Sequence, residues 1–103
     1  MPLSKSAAIR EARGHVTIAK SSPTSYHVFG PYRVADLSGP STELVVCSRQ
    51  KAVAEQAAWR AQIALQLMGR LTDAAFFEIE RCVDHPYEPH DLPGLVQAGL
   101  DAK

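Results

Sequence analysis

QKAVAEQAAWRAQIALQLMG, residues 50–69, is the stretch whose reading decides the fold. At 100° per residue, Lys51, Glu55, Gln62 and Gln66 gather within about 60° of one another, which marks a solvent face. Val53, Ala57, Ala61, Ala64, Leu67 and Met68 stand opposite as a core face, with Arg60 the one charge near it. The alanines combine high helix propensity with small volume, so a sheet can approach this helix closely. Gly69 supplies the left-handed residue that ends it.

The flanks of the same helix are apolar too: Trp59, Ile63 and Ala52 on one side, Ala54, Ala58 and Leu65 on the other. So wide an arc exceeds what one sheet face covers. A second cover is therefore expected, supplied by the C-terminal helices or by another protomer. Trp59 borders the polar face and is expected to be half exposed, as interface tryptophans often are.

Outward from the helix, the chain reads as a single domain over residues 1–103. Residues 1–14 hold either a short basic helix, with Ser4 as N-cap and Gly14 as terminator, or a flexible arm. Residues 15–48 carry the strands. Residues 15–20 alternate apolar and polar, residues 21–25 are turn chemistry, and residues 26–29 return as the second strand of a hairpin. Gly30-Pro31 interrupts the pattern, after which residues 32–35 continue as a further short strand. Residues 42–48 (TELVVCS) are apolar on both faces, which predicts a central strand or one covered on both sides.

Residues 72–103 form a helical, proline-punctuated region. Thr72 caps a helix over residues 73–83, which folds back on residues 50–69 as an αα-hairpin and presents Ala75, Phe76, Ile79, Cys82 and Val83 on one face. Asp91 caps a last short helix over residues 92–98. The predicted class is α+β: a small antiparallel sheet of three or four strands packed on a long Ala-rich helix, followed by one or two short helices.

Composition is that of an ordinary globular chain, with 46% hydrophobic and 21% charged residues. No apolar run approaches the roughly 18 residues of a membrane span. The first residues are charged and lack an apolar core, so no secretory signal is expected, and Cys47 and Cys82 read as reduced thiols of a cytoplasmic protein. Net charge is zero but unevenly spread. Residues 1–51 hold seven Lys/Arg against three Asp/Glu, and residues 52–103 hold four against eight. Such asymmetry arises from an anionic partner on the basic side or from mutual attraction of the two halves.

Three constellations carry candidate chemistry. Cys82, His85 and His90 form a Cys-x2-His-x4-His run that could reach one tetrahedral metal, although Cys82 falls on an apolar helix face where thiols ordinarily pack. His15 and His27 share the hairpin and read as rim residues. No nucleophile elbow, Walker or dinucleotide-binding spacing is present, so neither an enzyme nor a cofactor is expected. The order helix, three strands, helix resembles the layout of double-stranded-RNA-binding domains, and Gln50-Lys51 followed by Ala57-Ala58 is similar to their basic helix start. One lysine stands where that pattern has two, so the likeness is one of layout.

The function expected is a non-enzymatic, regulatory protein-interaction module of the inhibitor or accessory type, self-associating, with Trp59, Ile63 and Leu65 at its surface and Tyr26, Tyr32 and Arg33 on the sheet. A nucleic-acid-binding accessory protein using the basic N-terminal half is the alternative. A small metal-binding protein is the second.

Overall fold

A computed structural model describes residues 2–31, 37, 39, 42–88 and 91–102. Among these residues the class is α+β, with one three-stranded antiparallel sheet and four helices. The order is α1 (Lys5–Arg13), β1 (Thr17–Ser22), β2 (Ser25–Gly30), β3 (Thr42–Val46), α2 (Arg49–Leu67), α3 (Asp73–Asp84) and α4 (Leu92–Asp101). No helix among them is long and apolar enough to cross a membrane.

Local chemistry sets the helix ends. Ser4, Ser48, Thr72 and Asp91 each take extended backbone and accept a hydrogen bond from an N–H of the first turn. At the far end of α2, Gly69 adopts φ +67°, the Gly69 N–H donates to the Gln66 carbonyl and the Arg70 N–H to the Leu65 carbonyl. That pair of bonds is a Schellman cap, which satisfies carbonyls the helix leaves open. Gly14, in contrast, closes α1 with right-handed geometry.

The sheet runs β1-β2-β3, with Ile18 opposite Val28 and Val28 opposite Leu44. Alternation puts these three on the face toward α2, together with Tyr26 and Val46. The central strand is therefore β2. The expectation that residues 42–48 are central is corrected: among the described residues β3 is an edge, and Val45 on its outer face is 54% exposed. Its apolar residues on both faces reflect β propensity rather than two-sided cover. The strand expected over residues 32–35 lies outside the described residues.

Every other element packs against α2. From Ala52 to Met68 each of its residues is buried or half-buried. The expected solvent face is only partly open: Lys51 is exposed, whereas Glu55, Gln62 and Gln66 are half-buried, the first two beside α3. The second cover is the chain itself: α1 buries Ala8, Ile9 and Ala12, α3 buries Ala75 and Ile79, and α4 buries Leu92 and Val96 in the same core. Residues 2–14 are no arm, since the Leu3 N–H donates to the Leu67 carbonyl at 2.9 Å and α1 docks on α2.

Two glycines mark close approaches. A Cβ on Gly99 would stand 2.6 Å from Leu65 Cδ1, so α4 crosses α2 with nothing between. A Cβ on Gly30 would stand 2.6 Å from the His15 carbonyl oxygen, at φ +153°. The backbone leading into β1 leans there on the end of β2. Gly30→Ala is expected to cost about 2–3 kcal/mol in urea denaturation, from strain and backbone overlap together. Gly14→Ala, whose Cβ would meet only the Glu11 carbonyl at 3.6 Å, should be neutral or slightly stabilising. Equal effects of the two would contradict this packing.

Candidate functional site

The two sides of α2 that flank the sheet carry opposite charge. On the side toward β3 and α3, Glu55, Ala58, Trp59 and Gln62 are spaced so that they share one stripe. With Leu44 from β3 and Phe76, Ile79, Glu80 and Val83 from α3 they line a groove of about 430 Å³. Its floor is apolar and its charged groups are both carboxylates. The indole N–H of Trp59 donates to Glu55 Oε2 at 3.0 Å. Burial pushes the Glu55 carboxyl above its ordinary range; the Trp59 bond pulls it back in part, and the neighbouring Glu80 charge raises it further.

On the side toward β1, Arg49, Val53, Gln56 and Arg60 form the complementary stripe. With Thr17, Ile18, Lys20 and Tyr26 they line a cleft of about 620 Å³ that holds three cations and no carboxylate. Lys20 Nζ lies 5.8 Å from the centre of the Tyr26 ring, over its face. The base of the cleft is tied by side chains: Gln56 Nε2 donates to the Val16 carbonyl at 3.0 Å, and Arg60 Nη2 donates to Val16 at 2.8 Å and to Arg13 at 3.1 Å. Burial and the nearby Arg13 charge depress the Arg60 guanidinium, whose Nε is buried without a hydrogen-bond partner.

The sequence-derived interaction residues divide accordingly. Trp59, Ile63 and Leu65 are not surface anchors: they are 3%, 0% and 0% exposed, enclosed by the chain's own helices. The half-exposed indole expected for Trp59 is thus corrected, although its edge lines the acidic groove. Tyr26 lies in the basic cleft beside Arg49. Tyr32 and Arg33 lie outside the described residues.

Of the candidate metal ligands, Cys82 and His85 line one shallow groove. Cys82 Sγ points inward and donates to the Ala54 carbonyl at 3.4 Å, with its thiol pushed up to about 11 by burial and by Glu55. A metal requires the thiolate, which this setting disfavours. His85 is exposed just past the end of α3, and His90 lies outside the described residues. Among the described residues no group of three His, Cys, Asp or Glu side chains could hold a metal ion.

One arrangement escaped sequence reasoning. On the outer sheet face, His27 Nδ1 lies 2.7 Å from Glu43 Oε1 and His27 Nε2 lies 2.9 Å from Ser21 Oγ. The order hydroxyl, imidazole, carboxylate is that of an activated nucleophile. Ser21 has one proton to give, however, and the Ser25 carbonyl 3.2 Å away competes for it. None of the three residues lines either groove beside α2. The trio is a cross-strand tie on an open face, next to the His27–Phe29 stack. His27 and Glu43 are diagonal neighbours across β2 and β3, so only the register reveals them. His15 is apart from His27 and pairs with Glu11 at 3.0 Å.

The two cysteines should differ in reactivity. Cys47 is exposed and Cys82 buried, so a thiol reagent is expected to modify one group in the native chain and two after denaturation. Rapid native modification of Cys82, or its protection on addition of zinc, would contradict the packing role.

Compared with known proteins, the chain matches no family model, and neither a curated protein nor a solved structure is significantly similar to it.

Proposed function

We propose that this chain is a non-enzymatic interaction module that docks a basic, amphipathic segment of another protein in the acidic groove between α2, α3 and β3. The observation that carries this reading is the pairing of an apolar floor with the carboxylates Glu55 and Glu80 at one site. Phe76, which lines the groove and is 40% exposed, adds aromatic surface of the kind that anchors interfaces. A cationic helix or extended segment with one apolar face answers both features. Such a module acts as a regulator or inhibitor by occupying its partner's surface.

A separate partner is favoured over a second copy by what covers α2. The apolar arc that would have driven self-association is enclosed by α1, α3 and α4.

Trp59 is the sole tryptophan and lines the groove, so its fluorescence reports occupancy directly. A synthetic lysine–leucine amphipathic helix is expected to shift the emission saturably, and a glutamate–leucine helix of the same pattern is expected not to. Phe76→Ala should weaken binding by about 1–2 kcal/mol, roughly tenfold. Glu80→Lys, at an exposed position, should abolish the preference for the basic peptide. Equal response to both peptides, or none to either, would contradict the assignment.

A further inference from the structure

Across α2 from that groove lies a second surface, and it stands independently of the first. We propose that the cationic strip formed by β1, α1 and the amino-terminal half of α2 binds the phosphodiester backbone of a nucleic acid.

Two adjoining clefts build the strip. The first presents Lys20, Arg49 and Arg60, the second Lys5, Arg10 and Arg13, and no carboxylate lines either. The two clefts meet where Arg60 Nη2 donates to the Arg13 carbonyl, which brings their cations to one side of the molecule. None of the six takes part in the ion pairs among the described residues, which join His15 to Glu11, His27 to Glu43 and Arg81 to Glu78. Among the described residues the positive charge along this side is thus left without a carboxylate partner. Repulsion between Arg60 and Arg13 is one cost of that arrangement, and a bound anion would relieve it.

Length and texture decide the class of ligand. A lone phosphate occupies one or two of these groups, whereas a strip of six suits a polymer with regularly spaced charges. An acidic protein segment would want apolar anchors as well. The exposed large hydrophobic residues among those described are Leu3, Val45, Phe76, Phe77 and Tyr87, and none lines either cleft. The apolar Ile9, Ile18, Val53 and Tyr26 that do line them are buried or half-buried, and the polar Thr17, Gln56 and Ser6 stand among them. Gln56 and Arg60, fixed on the Val16 carbonyl, hold the floor rigid, which reduces the ordering cost of binding. Recognition through the backbone alone predicts little dependence on base sequence.

The test is fluorescence anisotropy of labelled duplex and single-stranded oligonucleotides titrated with the full chain across a salt series. Saturable binding is expected at low salt, with log affinity falling linearly against log salt by about 0.9 for each duplex phosphate neutralised. The double variant Lys20→Glu, Arg49→Glu alters two exposed side chains and should weaken binding at least about tenfold. Lys20→Gln with Arg49→Gln, the milder pair, should flatten the salt slope by about 2 while leaving the circular dichroism unchanged. Absence of binding at low salt, unchanged affinity in the folded variants, or equally tight binding of polyglutamate would overturn the proposal. None of these outcomes bears on the acidic groove, whose peptide titration succeeds or fails separately.

Discussion

Enclosure of α2 is the constraint on which the structure depends. A helix whose apolar residues run round most of its circumference cannot rest on one sheet face; each further side needs a partner. This chain supplies those partners itself, with the sheet and three other helices all in contact with α2. Alanine makes the arrangement feasible. Ala52, Ala58, Ala61 and Ala64 are buried and thin, so backbones draw close enough for Gly99 to meet Leu65 directly. The large side chains that remain, Ile63, Leu65 and Trp59, fill the space between layers.

Much of this was legible in the sequence because its signals are local. Ser4, Thr72 and Asp91 cap helices by chemistry that acts over three residues, and Gly69 ends α2 by a backbone conformation that glycine adopts freely. The hairpin of β1 and β2 follows from a proline-bearing turn between alternating runs. What stayed hidden depends on distant parts of the chain. A helical wheel gives the direction of Trp59 and Glu55 but not the fact that α3 closes over that direction. Edge and central strands differ by sheet order, so Val45 and Leu44 look alike in sequence while one faces solvent and the other α2.

The candidate sites follow the same division. The surplus of cations in the first half of the chain was visible, yet its assembly was not: Arg60 belongs to the second half and reaches back to Val16 and Arg13. Likewise Glu55 and Glu80, far apart in sequence, reach one groove only because α3 returns along α2. The +4 and −4 halves therefore do not simply neutralise each other. Lys20, Arg49 and Arg60 line one flank of α2 and Glu55 and Glu80 the other, and the exposed Phe76 belongs to the acidic flank. The two occupants proposed above, a basic amphipathic segment and a polyphosphate backbone, match these flanks by charge.

The central claim, that one copy of the chain satisfies every side of α2, is tested most directly by native-state hydrogen exchange followed on dilution. The amides of Ile63 and Leu65 should be among the last to exchange, at rates independent of protein concentration. Protection of those amides that falls as the protein is diluted would show that a second copy completes the core, and would contradict the account.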